Sequence, residues 1–266
     1  MSFIKVLGSK TYTRLCGNLS SDVTLIFIPP ATLHSDSMQP FVSHFENYRC
    51  LLLDLPAHGK SEGLNRTTVE DWGQWMKAYL EVINNKGWLS KKNIVIGYSM
   101  SAAIALEVML LQLDFIHGAI SLSGGLDIKG HNGIEKSISR CKKETFTYLD
   151  VFNISLIDTP LTTLNEKQLE IAKTMVPLAI CFEDFRAAMN YTALERAKHI
   201  QAPVLLIVGE QDKTIYPISS YNTHEALKEL STLVRIPHEK HSLIYTVPKQ
   251  LRQIITEWIG GTFNEV

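Results

Sequence analysis

Three residues that could together perform nucleophilic catalysis occur along this chain in the order serine, acid, histidine. Ser99 lies in the pentapeptide Gly-Tyr-Ser-Met-Ser, and Asp212 and His241 each follow the end of an apolar run. A serine hydroxyl is a weak nucleophile until a neighbouring base takes its proton, and an imidazole base needs a carboxylate to fix its tautomer. Ser99, Asp212 and His241 are therefore the candidate catalytic residues, and acyl transfer is the chemistry they would support.

The sequence around Ser99 predicts a sharp turn between a strand and a helix. The apolar run at 93–96 is typical of a buried strand, and the run at 102–110 is typical of a helix. Such a turn lifts the hydroxyl away from the backbone, which is the geometry of a nucleophile elbow. The amides and the dipole at the start of the helix favour negative charge in the same space.

Alternating strands and helices would position the other two candidates. Apolar runs predict buried strands at 23–28, 49–54, 116–122, 203–208 and 232–236, edge strands at 2–7 and 10–15, and helices near 67–85, 217–230 and 248–260. This alternation indicates an α/β fold with a doubly wound, mostly parallel sheet. Asp212 and His241 would then emerge at the same carboxyl edge of the sheet as Ser99, where open α/β sheets bind ligands.

Residues 125–192 interrupt the alternation. They contain no clear buried strand, but they carry aromatic and apolar helical stretches around 146–152 and 169–180. A segment this long between two core strands is either a cap over the site or a separate module. Because it leaves one core strand and returns directly to the next, we expect a helical cap at 125–192 on a core formed by 1–124 and 193–266.

Four segments together resemble the α/β-hydrolase superfamily, in particular its small, cap-bearing esterase-like and lactonase-like members. They are Asp-Leu-Pro-Ala-His-Gly-Lys-Ser at 54–61, the elbow at 97–101, Gly-Glu-Gln-Asp at 209–212, and His241 followed seven residues later by Pro248. The resemblance covers nearly the whole chain outside 125–192. It implies the α/β-hydrolase fold, with Ser99 as nucleophile, His241 as general base and then acid, and Asp212 as orienting carboxylate.

The chain departs from the family pattern at two places. The elbow ends in Ser101, where the family usually has glycine because helix and strand pack closely there. The segment Pro-Pro-Ala-Thr at 29–32 replaces a common His-Gly-x, in the loop that supplies one amide of the oxyanion hole. Its two prolines have no N–H, and the resemblance points to the residue after them. It therefore implies an oxyanion hole formed by the amides of Ala31 and Met100, with Thr32 as the alternative to Ala31.

Other residues compete for the base and the acid. His238 precedes His241 by three positions, but the spacing to Pro248 favours His241, and His238 fits a solvated loop. Asp127 follows the strand that ends near 122, where some relatives place their acid. Asp212 has the better sequence context, so Asp127 is the second candidate.

Three further polar residues accompany these motifs. His34 could contact substrate, although an exposed loop histidine is the commoner case. We expect His58 to serve the structure of its own loop, and Asp54 to brace a turn.

Composition narrows the classes of function. The chain has 266 residues, 45% of them hydrophobic, and a net charge of -1 without a basic patch, which argues against nucleic acid and anionic membranes as partners. No apolar run has membrane-spanning length. The four cysteines are scattered, and the sequence has neither a glycine-rich dinucleotide motif nor metal-ligand spacing. We therefore expect no cofactor and no metal. Without a secretory signal, we expect a cytoplasmic monomer or homodimer that acts on a small-molecule acyl substrate.

The sequence thus predicts a serine hydrolase that cleaves an ester-like bond, namely a carboxylic ester, a lactone or a thioester. Carbon–carbon bond hydrolases and cofactor-free lyases use the same triad and stay open as alternatives. A low-turnover ligand-binding or sensor protein is a further alternative, because a fold does not determine its function.

Overall fold

The computed structural model describes residues 2–128, 138–139, 142–155 and 161–263. These residues form an eight-stranded sheet in the order β1-β2-β4-β3-β5-β6-β7-β8. The strands are β1 (Ser2–Val6), β2 (Ser9–Gly17), β3 (Val23–Ile28), β4 (Arg49–Leu53), β5 (Lys92–Tyr98), β6 (Gly118–Leu122), β7 (Val204–Gly209) and β8 (Ser231–Ile236). β1 and β2 are antiparallel additions to one edge, and the six strands β3 to β8 run parallel to one another. The predicted α/β fold with a doubly wound, mostly parallel sheet is confirmed.

Helices cover both faces of the sheet. They are α1 (Ser35–Val42), α2 (Val69–Asn85), α3 (Met100–Leu110), α4 (Tyr148–Ser155), α5 (Glu166–Thr174), α6 (Leu178–Met189), α7 (Ile218–Leu227), α8 (Leu243–Thr246) and α9 (Pro248–Thr262). Side chains of α2 and α3 fill one apolar core against the sheet, and side chains of α1 and α9 fill another on the opposite face. Within the described residues, no helix is both long and apolar enough to cross a membrane.

Local sequence signals explain several of these boundaries. Every residue of β3 is buried, and the strand ends at Pro29, which has no N–H to donate to a neighbouring strand. α2 begins after Thr68, whose hydroxyl accepts the backbone N–H of Asp71 at 3.1 Å. This is an ordinary N-cap.

The described part of the 125–192 insertion is helical, with α4, α5 and α6 between β6 and β7. Its apolar stretch near 169–180 is divided into two helices because Pro177 stands at the start of α6 and disfavours helix in the residue before it. The insertion has an apolar cluster of its own, formed by Ile138, Phe146, Val151, Ile154, Val176, Cys181 and Phe182. The insertion thus has a core of its own, and Ala188 at the end of α6 connects it to the core that α2 and α3 fill.

Candidate active site

Ser99 lies at the turn between β5 and α3, with φ 61° and ψ -126°. This is a backbone conformation that L residues with a side chain rarely adopt, and it persists only where neighbours hold it. Here the N–H of Ser99 donates to the carbonyl of Leu122 at 2.9 Å, and its carbonyl accepts the N–H of Ala102 at 3.0 Å. The strained turn leaves the half-buried hydroxyl of Ser99 at the carboxyl edge of the sheet.

Close packing explains the residues on either side of Ser99. A Cβ on Gly97 would lie 1.9 Å from the carbonyl oxygen of Ser101, so only glycine fits there. Ser101 is small enough for the position where the family usually has glycine. Its hydroxyl accepts the N–H of Tyr98 at 2.8 Å, and it lies 2.9 Å from the carbonyl oxygens of Ile28 and Tyr98, to either of which it can donate. Ser101 thereby connects the elbow to the last residue of β3.

The structure brings Ser99, His241 and Asp212 together in one hydrogen-bonded chain. His241 Nε2 lies 2.9 Å from Ser99 Oγ, and His241 Nδ1 lies 2.7 Å from Asp212 Oδ2. The other carboxylate oxygen, Asp212 Oδ1, accepts the backbone N–H groups of Thr214 at 2.9 Å and Ile215 at 3.0 Å. Those two bonds orient the carboxylate, so that one oxygen is left for the imidazole.

The hydrogen bonds between Ser99, His241 and Asp212 lie in a largely desolvated environment. Asp212 is 2% exposed and His241 is 9% exposed. The ring of Tyr98 packs on the imidazole, with centroids 5.2 Å apart, and burial raises the pKa of Tyr98 well above its usual range. Tyr98 therefore stays neutral at ordinary pH. Exclusion of water strengthens the hydrogen bonds between Asp212, His241 and Ser99.

The competing residues occupy other places. His238 is exposed, at φ 64°, on the loop that leads to His241. Asp127 is buried, and its backbone forms an isolated bridge with Thr192. The carboxylate that contacts His241 is that of Asp212.

In the loop after β3, the backbone N–H groups of neighbouring residues differ in whether they donate a hydrogen bond within the protein. The N–H of Thr32 donates to Asp184 Oδ2 at 2.9 Å, and the carbonyl of Thr32 accepts the N–H of Val176 at 3.1 Å. By contrast, neither the N–H of Ala31 nor that of Met100 donates to another residue in the described part of the chain. Thr32, the alternative oxyanion donor, thus has its amide engaged, whereas the two amides suggested by the resemblance are available for a ligand.

Asp184 on α6 is a buried carboxylate that the sequence analysis did not single out. Its Oδ2 also lies 2.9 Å from Nε2 of His58, and both side chains are fully buried. Burial lowers the pKa of His58, but the charge and hydrogen bond of Asp184 outweigh that effect and raise it. The available signal was the helical spacing of Asp184 with Cys181 and Ala188, which places a carboxylate on the buried face of α6.

The remaining polar residues of this edge support the loops. Asp54 accepts the N–H groups of Ser35 and Lys60, each at 2.8 Å, as expected of a turn-bracing carboxylate. His34 is partly buried, not an exposed loop residue, and its Nε2 donates to the carbonyl of Thr174 at 3.0 Å. His34 therefore joins the loop after β3 to the insertion. Over the ranges that the structure describes, no cluster of three or more His, Cys, Asp or Glu side chains could hold a metal ion.

Comparison of the sequence with known families gives one match. The model of the Hydrolase_4 family, described as serine aminopeptidase, S33, matches residues 21–246. That range contains Ser99, Asp212 and His241. A comparison with curated proteins found no match.

Solved structures of the same fold come from several kinds of hydrolase. A lipase-esterase related protein from Clostridium acetobutylicum ATCC 824 is 27% identical, with a TM-score of 0.77 over 94% of this chain and 99% of that chain. An enol-lactonase from Burkholderia xenovorans LB400 is 14% identical, with a TM-score of 0.78 over 97% of this chain and 99% of that chain. A meta-cleavage product hydrolase from Pseudomonas fluorescens IP01 is 15% identical, with a TM-score of 0.75 over 98% of both chains. These likenesses confirm the α/β-hydrolase fold.

Proposed function

We propose that this chain, which belongs to the Hydrolase_4 (serine aminopeptidase, S33) family and is a serine hydrolase of the α/β-hydrolase type, cleaves ester-like bonds through an acyl-enzyme on Ser99. The hydrogen-bonded chain from Ser99 through His241 to Asp212 is the observation that carries the proposal. The proposed substrate is a small-molecule carboxylic ester, lactone or thioester.

In the first step, Ser99 Oγ attacks the carbonyl carbon of the substrate, and His241 Nε2 takes the hydroxyl proton. The 2.9 Å separation of these two atoms is within hydrogen-bond reach for that transfer. The carboxylate of Asp212 accepts a hydrogen bond from the Nδ1–H of His241, so the imidazole keeps that proton and presents its basic Nε2 to the serine. The same carboxylate stabilises the imidazolium that forms.

The carbonyl oxygen becomes an oxyanion as the carbon becomes tetrahedral. We assign its stabilisation to the N–H groups of Ala31 and Met100, which have no other acceptor among the described residues. Met100 is the first residue of α3, so the positive end of the helix dipole adds to its contribution. Two such donors typically account for a large share of catalysis, since loss of one costs about 10²–10³ in rate.

The tetrahedral intermediate then collapses, and the imidazolium of His241 gives its proton to the leaving group. The proton goes to the oxygen of the departing alcohol, or to the sulfur of the departing thiol in a thioester. This leaves an ester between the substrate acyl group and Ser99. A water molecule enters, loses a proton to His241 and attacks the acyl carbon. The second collapse returns the proton to Ser99 and releases the carboxylic acid.

The insertion at 125–192 is proposed to act as the cap of this site. Its residues Thr174, Val176 and Asp184 contact the loop after β3 through His34 and Thr32. That loop carries Ala31, so the insertion lies beside the proposed oxyanion hole. We therefore expect side chains of the insertion to select the acyl group.

A panel of p-nitrophenyl esters of increasing acyl length, assayed with wild type and Ser99→Ala, tests the proposal. Wild type should turn over steadily, and Ser99→Ala should lose turnover. A fluorophosphonate should label wild type at Ser99 and leave His241→Ala unlabelled. Unchanged ester hydrolysis by Ser99→Ala would refute the serine mechanism. A single stoichiometric burst without further turnover would instead favour the ligand-binding alternative.

A further inference from the structure

We propose that Asp184, on α6 of the insertion, is a positioning residue for catalysis because it holds the loop that carries the oxyanion-hole amide of Ala31. The inference rests on the proposed function, in which that amide binds the oxyanion. Asp184 itself is not proposed to touch substrate. It acts on the loop through Thr32, to whose N–H its carboxylate is bonded at 2.9 Å.

Thr32 is held in a backbone conformation that is unfavourable for a threonine. Its φ is 69°, in the left-handed region, which is a genuine outlier for a β-branched residue. Such a backbone persists only where the surroundings over-determine it. Here both peptide groups of Thr32 are bonded to the insertion, its N–H to Asp184 and its carbonyl to the N–H of Val176.

The peptide plane before Thr32 joins it to Ala31. Rotation at Thr32 would therefore turn the carbonyl of Ala31 and displace the residue whose N–H is proposed to bind the oxyanion. At the other end of the loop, Ser101 holds the carbonyl of Ile28 at 2.9 Å. Between these two anchors stand Pro29 and Pro30, whose rings restrict φ. The position of the Ala31 amide is thus defined by one anchor on the core and one on the insertion.

Asp184 is suited to this role by its surroundings. Its Oδ2 accepts from both Thr32 and His58, and its Oδ1 lies 3.4 Å from the side-chain nitrogen of Asn65. A fully buried carboxylate is costly unless it is paired and hydrogen-bonded, and Nε2 of His58 supplies a hydrogen bond at 2.9 Å. These contacts fix the carboxylate of Asp184 independently of its bond to the loop after β3.

The neighbouring carboxylate provides a matched control. Glu183 lies one residue earlier on α6 and also accepts from the side chain of Asn65, at 3.2 Å. It bonds to Lys143 on the insertion, and it has no bond to the loop after β3 among the described residues. Removal of Glu183 should therefore perturb the insertion without releasing Thr32.

The experiment compares Asp184→Ala, Asp184→Asn and Glu183→Ala on p-nitrophenyl acetate, with folding checked by thermal melting. Asp184→Ala should lower kcat about 10- to 100-fold with KM changed less than about threefold, because a displaced donor weakens transition-state binding more than ground-state binding. Asp184→Asn keeps an oxygen that can accept the Thr32 N–H, so it should retain kcat within about threefold. Glu183→Ala should match wild type.

Two further measurements separate positioning from general damage. The affinity for a trifluoromethyl ketone, which forms a tetrahedral adduct with serine, should fall in Asp184→Ala in parallel with kcat/KM. Addition of Thr32→Gly to Asp184→Ala should restore part of kcat, since glycine adopts positive φ without restraint. If Asp184→Ala does not fold, Asp184→Ser takes its place, because its shorter side chain cannot reach the Thr32 amide.

The outcomes distinguish this inference from the proposed function. Wild-type kcat in folded Asp184→Ala, or in Asp184→Ser when that variant takes its place, would overturn the positioning role, provided Ser99→Ala is inactive. Equal losses in Asp184→Ala, Asp184→Asn and Glu183→Ala would overturn it too, because they would indicate general damage to the insertion. Retained turnover in Ser99→Ala would overturn the proposed function itself.

Discussion

The hydroxyl of Ser101 lies 2.9 Å from the carbonyl oxygen of Ile28, and it also accepts the N–H of Tyr98 at 2.8 Å. A serine at the last position of the elbow thus contacts buried backbone groups of two adjacent strands, and its one proton is shared between the carbonyls of Ile28 and Tyr98, each 2.9 Å away. The glycine that is usual in the family has no side chain that could do so. The departure from the family pattern is therefore a structural link between the nucleophile turn and the loop after β3.

Removal of this link should destabilise the protein. Ser101→Ala leaves the N–H of Tyr98 and the carbonyl of Ile28 buried without their hydroxyl partner, which typically costs about 1–3 kcal/mol. Urea unfolding followed by tryptophan fluorescence measures the change in the free energy of unfolding. Ser43→Ala is the control, since that exposed hydroxyl donates to the nearby carbonyl of Pro40 and its loss should cost less than about 0.5 kcal/mol. Equal stability of the two variants would contradict the prediction.

Replacement of Asp212, the proposed orienting carboxylate, should inactivate the enzyme without unfolding it. In Asp212→Asn, the backbone amides of Thr214 and Ile215 would retain the amide oxygen, so the NH₂ group would face His241 Nδ1. The imidazole would then carry its proton on the nitrogen that faces Ser99, and kcat should fall roughly 10³–10⁴-fold.

Steady-state hydrolysis of p-nitrophenyl acetate measures this loss. Asp127→Asn is the comparison, because Asp127 was the alternative acid in the sequence. We expect this second variant to keep kcat within about tenfold of wild type, far above Asp212→Asn. A larger loss in Asp127→Asn than in Asp212→Asn would reverse the assignment.

Substitution of Gly97 should be among the most damaging single changes in the chain. In Gly97→Ala the new Cβ would lie 1.9 Å from a backbone oxygen of Ser101, which cannot move without distortion of the elbow. We expect a loss of more than about 4 kcal/mol or no folded protein at all.

A glycine with free space around it provides the contrast. A Cβ on Gly261, within α9, would meet no atom within 4 Å, so Gly261→Ala should stabilise the protein by about 0.5–1 kcal/mol. Soluble yield and melting temperature distinguish the two variants. A well-folded Gly97→Ala with a wild-type melting temperature would be incompatible with the close approach of β5 and α3.

The stability of the protein should depend on pH through His58. Burial opposes its charge, but Asp184, and to a smaller extent Asp54, raise its pKa above that of an exposed histidine. A raised pKa in the folded state means that the folded protein binds the proton more tightly than the unfolded chain. The resulting stabilisation is fully present below the unfolded pKa of about 6.5 and is lost as pH rises through the folded value.

Urea unfolding at several pH values between about 6 and 9 tests this linkage. Wild type should lose stability across that interval, and His58→Gln should show a shallower dependence because it has no titrating group at this position. The Trp72 ring, 5.9 Å from the imidazole, and the Pro56 carbonyl do not titrate in this range. The same pH slope in both proteins would rule out His58 as the source.

The sequence alone was sufficient for the strands, for helices α2, α3, α7 and α9 and for the candidate triad, but it did not predict the shorter helices α1 and α8. Buried strands of a parallel sheet are continuous apolar runs, and Ser99, Asp212 and His241 follow three of them by at most a few residues. Because the carboxyl ends of parallel strands meet at one edge, local signals already implied that the three side chains would lie together. The departure at Ser101 was also visible, although its bond to Ile28 was not.

Only the tertiary structure decided how the loop after β3 is held. The bond between Thr32 and Asp184 joins residues 152 positions apart, and that between His58 and Asp184 joins residues 126 apart. No local periodicity or motif determines which carboxylate on a helical insertion meets which backbone amide on the core. That choice depends on how the two apolar layers pack, and packing is a property of the whole folded chain. The engaged amide of Thr32, which argues against the alternative to Ala31, follows from that packing.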